Sequence, residues 1–92
     1  MIQFLVHDKK DTVAIATVDI KAGERARGLT MDTQKPVAVE ALMDIPLGHK
    51  IALRDFKPGD TVIKYGHDIG RVVAKIKRGE HVHVHNLKTK RW

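Results

Sequence analysis

A short degenerate repeat constrains this chain more than any other feature. It reads Asp19-Ile-Lys-Ala-Gly23-Glu24, Asp44-Ile-Pro-Leu-Gly48-His49, Asp55-Phe-Lys-Pro-Gly59-Asp60 and Lys75-Ile-Lys-Arg-Gly79-Glu80. Each copy is a polar residue, an apolar anchor, two variable residues, a glycine and a second polar residue. Glycine suits a turn position with positive φ, where other residues are strained. The Ile or Phe ahead of it can plug a core beside the turn. The copies begin at residues 19, 44, 55 and 75. They have no fixed period, which excludes a solenoid. One local device is reused within a single domain spanning residues 1–92.

Every copy runs into a segment of β character: GERARGL, GHKIAL, GDTVIKY and GEHVHVH. Residues 2–7, 12–18, 37–43, 61–65, 71–76 and 81–87 are short, β-branched and bounded by Gly, Pro or Asp, as strands are. No window supports an amphipathic helix of ten residues, although a single helical turn over 49–56 is compatible with the sequence. Gly66-His-Asp-Ile-Gly70 reads as a turn between strands. Many short strands with frequent turns predict an all-β barrel or clip, not a parallel α/β sheet.

Ninety-two residues form one small domain, with a core too small to enclose a deep substrate cavity alone. Partner surface is a natural way to complete the core or the site. The absence of cysteine excludes disulfides and thiolate chemistry. No apolar run reaches the ~18 residues of a membrane span, so no membrane partner is expected. The opening MIQFLVHDKKD lacks a signal-peptide layout, because its short apolar run precedes the lysines. A cytoplasmic location is expected. The net charge of +6 favours anions. Its dispersed pattern, with four aromatic residues, argues against nucleic acid.

The strongest candidate for chemistry is His81-Val82-His83-Val84-His85-Asn86. On a strand, His81, His83 and His85 share one face while Val82 and Val84 point into the core. Alternate side chains sit ~6.5–7 Å apart along a strand. Two imidazoles can therefore converge on a metal or an anion, but three from one straight strand converge poorly. Imidazole also serves as acid or base near neutral pH. A histidine-rich polar face or an interface strand is the plainer alternative. No carboxylate or fourth histidine has obvious spacing to complete a metal site, so no metal ligand is assigned to this chain. Gly48-His49-Lys50 follows a turn glycine, and it can offer an N–H, an imidazole and an ammonium to a carboxylate. An ordinary exposed turn explains the same composition. Tyr65 is either a core residue or a site hydroxyl. His7 and His67 read as surface or structural. No nucleophile elbow, Walker loop or dinucleotide fingerprint is present.

The motifs in combination resemble the small domain of the altronate/galactarate dehydratase family, a SAF-type β-clip. The family's GHK-[IF]-A-L segment is matched by Gly48 to Leu53. Its V-I-K-Y-G and I-G elements are matched by Val62 to Gly66 and Ile69-Gly70, and its G-E-H-V-H-x-H-N ending by Gly79 to Asn86. The opening VAIATVDIKAGE also matches, so the resemblance covers nearly the whole chain. Some members fuse this domain to a large catalytic domain, and others encode it separately.

The resemblance implies the small subunit of a two-subunit lyase that performs β-elimination on an anionic hydroxy acid. Met31-Asp32-Thr33 and Lys88-Thr-Lys-Arg-Trp92 are similar to the branch that expels sulfite from (2R)-sulfolactate to leave pyruvate. A sugar-acid dehydratase that expels water is the alternative, and a non-catalytic SAF ligand-binding module is the next. A large catalytic lyase subunit is the implied partner, with homo-oligomerisation also open. A divalent metal, iron by family expectation, is implied mainly in that large subunit. His49, His81, His83 and His85 carry over as catalytic candidates, and Lys50, Tyr65 and Asn86 as substrate-binding candidates. The basic tail and Trp92 are expected to dock on the partner. The chain by itself is expected to fold without lyase activity.

Overall fold

The computed structural model describes residues 2–64, 66–83 and 86–89. They form nine strands, with no helix among them: β1 (Phe4–Val6), β2 (Val13–Ala16), β3 (Arg25–Thr30), β4 (Pro36–Glu40), β5 (Lys50–Ala52), β6 (Thr61–Lys64), β7 (His67–Val72), β8 (His81–Val82) and β9 (Leu87–Thr89). Six strands form one sheet in the order β4-β3-β1-β2-β5-β8, and three form another in the order β6-β7-β9. The pairings are antiparallel except for β1 with β3.

The four repeats explain this architecture. In each, the residue after glycine donates its N–H to the carbonyl three positions back. The bonds are Glu24 to Lys21 (3.1 Å), His49 to Pro46 (2.9 Å), Asp60 to Lys57 (3.0 Å) and Glu80 to Lys77 (3.0 Å). The glycines take φ values of 89°, 84°, 96° and 92° at positions 23, 48, 59 and 79. A type II turn needs that conformation at its third residue.

The turns then dock in reciprocal pairs. Gly23 and Glu24 of the first turn bond both backbone groups of Ala41, three residues ahead of the second copy. Gly48 and His49 of the second turn do the same to Ala16, three residues ahead of the first. The third and fourth turns repeat the exchange through Val72 and Ala52. The anchors pair accordingly, Ile20 with Ile45 and Phe56 with Ile76.

Each anchor pair plugs its own core. Ile20 and Ile45 are buried with Phe4, Ala16, Val39 and Ile51. Phe56 and Ile76 are buried with Val13, Ala52, Val62, Val72 and Val82. The leading acid of each copy caps its partner turn: Asp19 Oδ1 accepts from Leu47 N (2.8 Å), Asp44 Oδ1 from Ala22 N (2.9 Å) and Asp55 Oδ1 from Arg78 N (2.8 Å). The fourth cap is missing for a covalent reason. The recipient would be Pro58, which has no N–H, and the copy that would supply the acid begins with Lys75.

Four sequence expectations need correction. The strand expected over 71–76 is displaced: β7 runs from His67 to Val72, and Ile76 pairs only through its bridge with Phe56. Residues 49–56 form no helical turn, because Lys50–Ala52 is recruited as β5 between β2 and β8. The turn expected over 66–70 is confined to its start. Gly66 has a φ of 73°, and β7 begins at His67. The strand expected over 81–87 is broken into β8 and β9, which belong to different sheets. Asn86 closes that break by bonding back to the chain at His81 and His83.

Candidate functional site: a three-histidine cluster at the sheet edge

The site forms where the first pair of turns meets the edge strand. β5 and β8 are antiparallel with Lys50 opposite Val82 and Ile51 opposite His81. Directly opposed residues share a face of the sheet and neighbours alternate. His81 therefore lies on the face of Ile51, and extending the register by one residue sets His49 across from His83. The rings obey this geometry. His49 and His83 have centroids 4.5 Å apart, His49 and His81 4.9 Å, and His81 and His83 5.4 Å with planes 11° apart. All three side chains are half-buried, and one ligand nitrogen of each lies within 4.8 Å of the others. His49 Nδ1 and His81 Nε2 are 2.8 Å apart, a hydrogen bond in which one ring donates and the other accepts.

Asn86 holds this arrangement from below. Its Oδ1 accepts from His83 N (3.0 Å) and its Nδ2 donates to His81 O (2.8 Å). The residue is 5% exposed. Asn86, expected from the sequence as a substrate-binding residue, engages with both ends of its amide the backbone that carries the histidines. Lys50 takes a different place from its neighbour His49. The register puts it on the opposite face, with Val82 and Ile15. Burial first, and the nearby Lys64 ammonium second, lower its pKa from the ordinary lysine value. Tyr65, Val84, His85 and the terminal residues through Trp92 lie outside the described residues. Of the expected site residues, the structure thus brings together His49, His81 and His83.

His49 can join the cluster because its turn differs from the others. At the last position of the repeat, Glu24, Asp60 and Glu80 cap their own turns, accepting from the N–H of Lys21 (2.7 Å), Lys57 (2.9 Å) and Lys77 (2.7 Å). In the second copy the corresponding N–H is gone, because the residue is Pro46. Position 49 has no cap to supply, and a histidine stands there. The aligned repeats contain this signal, a proline and a non-acid changing together, but composition around Gly48-His49-Lys50 conceals it.

The donor set fits a divalent first-row transition ion. Neutral imidazole is a ligand for zinc, iron, copper and nickel, whereas calcium and magnesium require oxygen. No carboxylate belongs to the group among the described residues. Metal–nitrogen bonds of about 2.0–2.1 Å in tetrahedral array set ligand nitrogens about 3.3 Å apart. The histidine nitrogens lie within 4.8 Å of one another, so the half-buried rings have to shift to reach that spacing.

Comparison with known proteins agrees with this architecture. The family profile described as altronate/galactarate dehydratase SAF domain matches residues 2–90. The chain belongs to that family. It is 51% identical over 92 residues to the (2R)-sulfolactate sulfo-lyase subunit alpha of Chromohalobacter salexigens, covering 99% of this chain and 98% of that one. The subunit of the same name from Paracoccus pantotrophus is 62% identical over 52 residues, 56% of this chain and 78% of that one. The altronate dehydratase of Bacillus subtilis is 43% identical over 89 residues, 97% of this chain but 17% of that protein. No helix among the described residues is long and apolar enough to cross a membrane.

Proposed function

We propose that the chain is the small subunit of a two-subunit lyase that cleaves (2R)-sulfolactate to pyruvate and sulfite. One observation carries this reading: the likeness to a sulfolactate sulfo-lyase alpha subunit extends over 98% of that subunit's length. The reaction is a β-elimination. A base takes the proton from the carbon bearing the hydroxyl and carboxylate, and those electrons form the carbon–carbon double bond. The carbon–sulfur bond breaks with its electron pair on sulfite, and the enol tautomerises to pyruvate.

The substrate is a dianion, and the basic surface of this chain attracts it. The His49–His81–His83 cluster is the group of side chains best suited to binding or proton movement at the junction with the large subunit. Iron or another divalent metal, when bound, supplies Lewis-acid stabilisation of the developing enolate charge. Most of the remaining catalytic machinery is assigned to the large subunit, and the cytoplasm is the expected location.

The altronate dehydratase likeness favours a second reading, in which water leaves a sugar acid instead. Co-expression with the large subunit separates the two. Sulfite release from (2R)-sulfolactate is expected from the assembled enzyme and absent from this chain alone. A 2-keto acid formed from altronate or galactarate, with no sulfite from sulfolactate, would replace the first reading with the second.

A further inference from the structure

We propose that His49, His81 and His83 of this chain bind a divalent first-row transition metal, so that this subunit supplies part of the metal site and not only surface beside it. The proposal deepens the lyase reading but rests on geometry internal to this chain.

Two observations point the same way. The first is convergence. A straight strand cannot aim three imidazoles at one point, and here it does not have to. Two histidines come from the β8 edge and one from a turn 32 residues earlier in the chain, and their ligand nitrogens lie within 4.8 Å of one another. The second is the exception in the repeat. Three turns place an acid where His49 stands, and that acid closes the turn's own N–H. The second turn substitutes Pro46 for the donor and His49 for the acceptor. The local cap is given up at the turn whose last residue lies across from His83 in the β5–β8 register.

Metal binding also accounts for the crowding of like side chains. Metal ions bind imidazole in its neutral form, so three rings at centroid distances of 4.5–5.4 Å hold a cation without repelling one another. Asn86 fixes the backbone on both sides of Val82 and so fixes the spacing of His81 and His83. Three ligands from one subunit leave coordination positions open toward the partner and the substrate, as catalytic sites of three protein ligands do.

The test uses the untagged 92-residue chain, with zinc and cobalt(II) as probes. Titration calorimetry is expected to give one ion per chain, and cobalt(II) a visible absorption band of a low-coordinate nitrogen site. His49→Ala and His81→Ala should each weaken binding at least tenfold with circular dichroism unchanged. His49→Gln guards against a folding defect in the alanine variant. His67→Ala, at an exposed position of β7 in the other sheet, should leave binding unchanged. No saturable binding, or one-to-one binding retained in a His49→Ala, His81→Ala double variant, overturns the proposal. Metal bound as expected, with no sulfite released by the assembled enzyme, supports the site and removes the sulfolactate reading. Full sulfite release by an assembled enzyme whose small subunit no longer takes up cobalt overturns the metal's part in turnover.

Discussion

The second turn and the other three share one backbone and have diverged in their side chains. All four place glycine at positive φ, bury an apolar anchor and dock on a strand by two backbone bonds. Three of them spend their last residue on an acid that closes the turn. The second, with Pro46 and His49, turns that residue outward to the β8 edge. The comparison teaches which parts of the repeat are structural in every copy and which are open to chemistry. The anchor and the glycine are shared by all four turns. The last residue is replaceable, provided the N–H that it serves is removed with it.

The largest effect should come from an element common to all four turns. Phe56→Ala removes a 3%-exposed anchor and is expected to destabilise the chain by about 3–5 kcal/mol, read by urea denaturation. A stability loss below about 1 kcal/mol would show that the anchors are not what holds the turns.

The glycines come next and should differ from one another. A Cβ at Gly79 would collide with the Glu40 carbonyl, whereas at Gly48 nothing lies within 4 Å. Gly48→Ala should cost about 1–2 kcal/mol from φ strain alone, and Gly79→Ala clearly more. Equal losses at the two positions would mean that the contact with Glu40 relaxes freely.

The His49→Ala, His83→Ala double variant should keep its melting temperature and its association with the large subunit. Turnover of the assembled enzyme should fall at least tenfold, equivalent to about 1.4 kcal/mol on the barrier. Full activity in a stable double variant would leave this subunit as scaffold.

The smallest effect is the sharpest test. Pro46→Lys with His49→Glu converts the second turn to the pattern of the others. It should raise stability by about 0.5–1 kcal/mol, one net hydrogen bond, while metal uptake is lost. A fall in stability would refute the idea that position 49 was released from capping.

The sequence made much of this fold legible because glycine turns and β-branched runs carry strong local signals. The pairing of the turns was not legible, since it depends on Ala16, Ala41, Ala52 and Val72. Those residues look like ordinary strand positions until their partners are known. The histidine strand shows the same limit. Alternation correctly set His81 and His83 together with Val82 buried between them. The expected continuation to residue 87 failed because Asn86 bonds back to the chain and redirects it into the second sheet. Lys50 was grouped with His49 by adjacency, yet adjacency in a strand means opposite faces, and only the register with β8 reveals which face each takes.

The reciprocal docking of the turns has a consequence for synthesis on the ribosome. The first turn has no residue to close on until Ala41 has emerged, and the Ala16 N–H and carbonyl have no turn to bond until residues 48 and 49 follow. The third turn waits for residue 72, and Ala52 waits for residue 80. Such an order delays closure of each turn pair, since long-range pairings must form before they stabilise anything. His49 closes the first pair, while His81 and His83 are translated just after the last residue of the second. The histidines therefore meet only when both pairs are complete and Asn86 has locked the turn behind them. A nascent chain stalled at any earlier point presents no assembled cluster, and a captured metal ion would mark the finished domain.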